Sequence, residues 1–188
     1  MNAHMFNQTT KCMKNVLFAI FCCATFLDCN KPKEEATQPV AVTPPDQEIG
    51  DSKYVEIAKK GFAQLASGDI DAWMTDFSDN AKYYSSLRDS LIGKPAISAY
   101  WKDRRANVID KMEFVNGYWS PFKVNKAQNT APLGNYALTW VVVNVTYKNS
   151  KSVSLLLHTA FHFDANDKID LVEMFYDQSP IKEALAKK

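Results

Sequence analysis

Apolar positions in this chain change their spacing as it proceeds. Val16 to Leu27 is a nearly unbroken apolar run, Asn30 to Gly50 is poor in large apolar residues, and from Tyr54 onward they recur periodically. Tyr54, Ala58, Phe62 and Leu65 share one face of a helix that Ser52 can cap and Gly68 can stop. Asp69 restarts a short second helix with Ile70, Trp73, Met74 and Phe77 on its buried side, ended by the turn cluster Ser78-Asp79-Asn80. Residues 81–87 read as a short strand. Pro95 suits the first turn of a third helix that runs through Ile97, Tyr100 and Trp101 to Ala106. Beyond it the spacing becomes alternating. Residues 108–120, 136–147, 153–163 and 168–176 are rich in β-branched and aromatic side chains and predict a four-stranded antiparallel meander. Between them lie a longer loop, 121–135, and the turn clusters 148–151 and 164–167. Helices first and strands afterwards predict an α+β domain, with three N-terminal helices folded onto one face of a curved, mainly antiparallel sheet.

The first apolar run is too short to span a bilayer comfortably and follows Lys11 and Lys14, the layout of a secretory signal segment, for which Met13 would serve as a start. Phe-Leu-Asp-Cys29 resembles a bacterial lipoprotein cleavage box, although Asp28 replaces the usual small residue. The expectation is export to the cell envelope, periplasm or outer membrane, with Cys29 lipidated as a membrane anchor. An uncleaved anchor and a secreted protein cut elsewhere stay open. Pro32, Pro39, Pro44 and Pro45 lie in a stretch too polar to build a core, which predicts a flexible tether over residues 30–52. The organisation is thus signal segment and lipobox 1–29, tether 30–52 and folded domain 53–188.

Composition narrows the chemistry. A chain of 188 residues with 46% apolar content can bury one core, and its net charge of +1, without a basic stripe, argues against a nucleic-acid partner. All 4 cysteines lie at or before Cys29, so the folded part has no disulfide, thiolate nucleophile or Cys-ligated metal. It also carries no glycine-rich phosphate loop and no Gly-x-Ser-x-Gly turn, so no cofactor is expected.

The last predicted hairpin holds His158 and His162. On a strand they share a face but stand roughly 13 Å apart, too far to clamp one ion, so no metal site is expected. A turn centred on Ala165-Asn166 would set Glu173 opposite His158, and a two-residue Asn149-Ser150 turn would set Val141 on its other flank. The rung is then Val141, His158, Glu173. A carboxylate beside an imidazole suits a general base or a substrate-orienting pair, and an exposed cross-strand pair of modest value is the alternative. Tyr83, Trp101, Trp119 and Tyr176, with Trp73 and Tyr84, are aromatic candidates to line a pocket or fill a core. Asp177, just after the last strand, is a further candidate site acid or a turn cap.

The order of Gly68-Asp69-Ile70-Asp71-Ala72-Trp73, Leu91-Ile92-Gly93-Lys94-Pro95-Ala96-Ile97 with Tyr100-Trp101, and Glu173-Met174-Phe175-Tyr176-Asp177 resembles the SnoaL-like family of the nuclear transport factor 2-like superfamily. The resemblance covers the chain from about Lys53 onward. It implies an α+β cone or barrel with a deep apolar pocket between helices and a bent mixed sheet. It further implies a small, largely apolar organic ligand, with cofactor-free isomerase, cyclase or hydrolase chemistry in some members and an acid following the last strand in many. His158 and Glu173 are the expected catalytic pair, and Tyr83, Trp101, Trp119, Val141 and Asp177 the expected ligand contacts. The alternative is a non-catalytic interaction module, a homodimer using its sheet face at the envelope.

Overall fold

The helical spacing around Tyr54 resolves into α1 (Lys53–Ser67), whose buried face carries Tyr54, Val55, Ala58, Phe62 and Leu65. Asp51 rather than Ser52 caps it: the Asp51 carboxylate accepts from Lys53 N at 2.8 Å, while Ser52 makes no side-chain cap. Gly68, at φ 85°, closes the helix by donating its N–H to Gln64 and Leu65 carbonyls, a left-handed turn that other residues adopt at a cost. Asp69 caps α2 (Ile70–Met74) by accepting from Ala72 N. A Cβ on Gly61 would come within 2.7 Å of Trp73 Nε1, so glycine is what lets α1 and α2 touch. The computed structural model describes residues 43–86, 89–129 and 131–186, and the apolar run, Cys29 and most of the tether lie outside the described residues.

The remaining elements are β1 (Gln47–Ile49), β2 (Phe77–Tyr84), β3 (Ser90–Ile92), α3 (Lys94–Asp103), β4 (Ile109–Val124), β5 (Gly134–Tyr147), β6 (Ser152–Phe163), β7 (Ile169–Phe175) and α4 (Ser179–Leu185). One seven-stranded sheet runs β1-β4-β5-β6-β7-β2-β3, antiparallel throughout except where β2 lies parallel to β7. The α+β class and the mixed sheet are as expected, but the layout differs in three ways. The helices do not all precede the strands, because β1 comes before α1, β2 and β3 separate α2 from α3, and α4 follows β7. The sheet is open, with three-residue strands β1 and β3 at its edges, so it is not a closed barrel. Gln47–Ile49, within the stretch assigned to the tether, pairs with Phe122–Val124.

Ser78-Asp79-Asn80 does not end α2 in a turn. It lies inside β2, where the register with β7 shifts between Phe77 and Lys82, so the polar cluster occupies a bulge. Pro121 sits within β4 opposite Ala137, just beyond the segment covered by β1, where the strand has only one neighbour. A second bulge, between Val115 and Tyr118, places Asn116 at φ 53° and brings the backbone so close to the inner layer that a Cβ on Gly117 would lie 2.8 Å from Val141 Cγ1. These bulges bend the sheet around the helices.

Side-chain alternation sorts β5 and β6 cleanly. Val141, Val143, Val145, Tyr147, Leu155, Leu157 and Phe161 face inward and are buried, whereas Trp140, Leu156 and His158 face outward. The inner face packs against Phe62, Trp73, Phe77, Ile97 and Trp101, which together form the core.

A cavity between helices and sheet

The inner face is not filled to its end. A cavity of about 240 Å³ opens between α1, α3, α4 and the concave side of the sheet. Its floor is Met112, Val143, Val145, Leu155, Leu157 and Met174, its helical wall Leu65 and Trp101, and Ile181 of α4 stands at its margin. Four phenols enter this apolar space, those of Tyr83, Tyr100, Tyr147 and Tyr176, together with Arg104, Asp89 and Gln178.

Each phenol is placed by a local feature. Tyr83 alternates inward on β2, and its hydroxyl meets the Met174 sulfur. Tyr147 ends β5 on the inner parity, only 2% exposed, and Tyr176 follows β7 directly. Tyr100 stands one residue before Trp101 on α3, its ring edge-on to the indole at 5.4 Å. Burial holds the Tyr83 phenol well above its ordinary range, with Tyr176 and Tyr100 adding to the effect. Burial likewise raises Tyr147 and Tyr176, and Arg104 opposes the rise in both. These three are therefore hydrogen-bond donors at neutral pH.

Arg104 enters the cavity lining where the helical pitch changes. Residues Arg104–Val108 continue α3 as a single wide π-turn before β4 begins, a device that recurs at functional sites. It splits two consecutive arginines. Arg105 turns to α1, donating from Nη2 to the Ala66 carbonyl at 3.2 Å, while Arg104 lies over the Tyr100 ring, 5.6 Å from its centroid.

Of the residues singled out from sequence, Tyr83, Trp101 and Tyr176 line the cavity. Trp119 packs edge-on against Phe62 at 5.4 Å, and Val141 is 2% exposed in the core; neither lines the cavity. Trp73 sits in the core against Phe77. The Asp177 carboxylate accepts from Ser179 N at 2.8 Å, capping α4, and that backbone bond holds its pKa below the usual carboxylate range.

His158 and Glu173 lie on the outer face, away from the cavity, and do not pair. His158 stands opposite Phe175, and Glu173 opposite Ala160. Two single-residue slips separate this from the expected register. The β6–β7 turn takes an extra residue, with Asp167 at φ 59°, and a bulge between Ile169 and Leu171 adds another. The β5–β6 turn also takes one more residue than expected, with Ser150 at φ 66°, so His158 opposes Trp140 and Val141 falls on the other face. The bulged residue, Asp170, reaches His162 Nδ1 at 2.5 Å while His162 Nε2 meets the Leu133 carbonyl at 2.9 Å. That histidine ties the β4–β5 loop to the sheet.

Arg104, Tyr100, Tyr147 and Asp89 were not among the residues singled out as pocket lining. Arg104 could have been found, since Ile97, Trp101 and Arg104 follow one another at helical spacing on the buried side of α3. Tyr147 is the last inward residue of an alternating strand.

The solved structures similar to this one share its architecture. A polyketide-cyclase-like protein from Silicibacter sp. TM1040 superposes with a TM-score of 0.59 at 15% identity, covering 74% of this chain and 100% of that one. A SnoaL-like polyketide-cyclase-type protein from Shewanella denitrificans gives 0.55 at 13%, covering 72% and 98%. The chain has the nuclear transport factor 2-like fold. A Catenulispora acidiphila protein with a ketosteroid isomerase-like fold, in complex with trimethylamine, gives 0.52 at 14%, covering 69% and 91%. No protein-family model matches the sequence, and neither does any curated protein.

Proposed function

We propose that this domain binds a small, largely apolar organic molecule in the cavity between its helices and the concave sheet. The observation that carries this is the cavity itself: about 240 Å³ of apolar space into which several phenols project. Neighbours described as polyketide cyclases and as ketosteroid isomerase-like support a ligand of this kind. The lining also suits cofactor-free proton transfer beside a carbonyl. Protonated phenols can polarise the carbonyl oxygen, and Asp89, the one acid among the described lining residues, can take the proton at the mouth. Export and tethering through Cys29 belong to the same proposal and rest on the N-terminal sequence; mass spectrometry of the native protein tests them by the presence of a diacylated Cys29.

Binding is tested by titrating 2-naphthalenemethanol, a neutral probe, and following tryptophan fluorescence. Wild type should bind it, and Val145→Trp, which fills the floor, should not while keeping its circular dichroism. Equal binding by both proteins would refute the cavity as the site. Proton transfer is tested by exchange of the α-protons of 2-tetralone in deuterated buffer, which Asp89→Asn should slow by about 10²-fold.

A second reading has its own observation. On the outer face Tyr118, Trp140, His158 and Phe175 form a row across four strands, with ring centroids 5.7, 4.6 and 5.7 Å apart. Tyr118 and Phe175 are 64% and 51% exposed, and Leu156 beside them 68%. Such a surface suits contact with a second copy of the chain. Sedimentation velocity should then show a dimer that Trp140→Lys converts to monomer; a monomeric wild type would exclude it.

A further inference from the structure

We infer that the ligand of this cavity is an anion, an apolar ring compound bearing a carboxylate that Arg104 receives. The inference rests on the ligand-binding proposal and adds the ligand's charge. Arg104 is half-buried at the wall of a mainly apolar cavity, and no carboxylate among the described residues forms an ion pair with it. Its neighbour Arg105 points to the end of α1, where Nη2 alone finds an acceptor, whereas Arg104 rests on the face of Tyr100. A guanidinium kept partly out of water without a counter-charge loses solvation that one aromatic face restores only in part. Its planar fork matches a carboxylate in two parallel bonds.

The donors around it point the same way. The hydroxyls of Tyr100, Tyr147 and Tyr176 have no hydrogen-bond acceptor among the described residues and line the cavity. Arg104 lines the same cavity as Tyr147 and Tyr176 and opposes the rise of both phenols, so the cation and these donors share one space. The Tyr147 and Tyr176 hydroxyls and a guanidinium can receive an oxyanion, and Met112, Val143 and Leu157 on the same lining can receive a ring. Asp89, also on the lining, is exposed and opposes Arg104 at Tyr176, where Arg104 is the stronger influence of the two.

The test compares 2-naphthoate with 2-naphthalenemethanol, of like shape but one an anion and the other neutral at pH 7, by calorimetric titration of the full chain. Naphthoate should bind about tenfold or more tightly than the alcohol, the size of a charge-assisted hydrogen-bonded pair. Arg104→Gln should bring the two probes within about twofold by weakening only the acid, and Asp89→Asn should strengthen the acid. Equal affinities in wild type would overturn the inference and leave the cavity proposal standing. Binding of neither probe would overturn both. The wild-type comparison decides the matter even if Arg104→Gln does not fold.

Discussion

The guanidinium of Arg104 lies over the ring of Tyr100, 5.6 Å from its centroid, at the wall of the cavity. Tyr100 is itself 38% exposed, so the ring is a platform that holds the cation at the opening. Replacing it should loosen Arg104 without emptying the core. Tyr100→Leu is expected to weaken naphthoate by about two- to fivefold, the value of a partly exposed cation–π contact, while Tyr100→Phe keeps most of the affinity. Calorimetry on the two variants checks this.

Alkaline pH gives a second test. Tyr54, Tyr83, Tyr136, Tyr147 and Tyr176 are all raised from the ordinary value of 10.0, burial being the first cause in each, and Tyr136 reaches about 12. A phenol raised on folding contributes stability in full below its unfolded pKa and loses it as pH rises through the folded value. Absorbance at 295 nm should therefore show a late-ionising class of tyrosines. The melting temperature should fall between about pH 10 and 12 as these groups are forced to ionise.

Thr139 and Thr159 face each other across β5 and β6, both fully buried, and neither hydroxyl has a partner among the described residues. Removing an unsatisfied polar atom while keeping its shape stabilises. Thr139→Val with Thr159→Val is expected to gain about 1 kcal/mol per hydroxyl in urea unfolding. A loss of stability would show that the hydroxyls are satisfied in solution.

Asp167, at the tip of the β6–β7 turn, accepts from Lys53 at 2.8 Å and from the Tyr54 hydroxyl at 2.7 Å, pinning α1 to the turn. Those bonds, Lys53 first, hold its carboxyl below the ordinary 3.8. The sign follows: the stabilisation is complete above the unfolded pKa and is lost as pH falls through the folded one. Asp167→Asn should therefore melt below wild type at pH 7, and the two should converge once the pH is below the folded value.

Much of the fold was legible because the strands and α1 are written in plain periodicity. Tyr54, Phe62 and Leu65 mark one helical face, and Val141, Val143 and Val145 one sheet face. What was illegible lay in single residues. Asp167 and Ser150 adopt left-handed backbone in turns one residue longer than the shortest option, and Asp170 bulges out to meet His162. Each slip is local and leaves the composition of the strand unchanged, yet it decides which side chain opposes His158. The π-turn that ends α3 is equally silent in a hydrophobic pattern, since a helix widened by one residue keeps its apolar side until it ends.

The most direct measurement is a crystal structure of the full chain with 2-naphthoate. The ring is predicted to lie over Val143 and Leu157 with its carboxylate against Arg104 and the Tyr147 and Tyr176 hydroxyls. Density for the probe on the outer face beside Trp140 and His158, with the cavity holding none, would contradict the account.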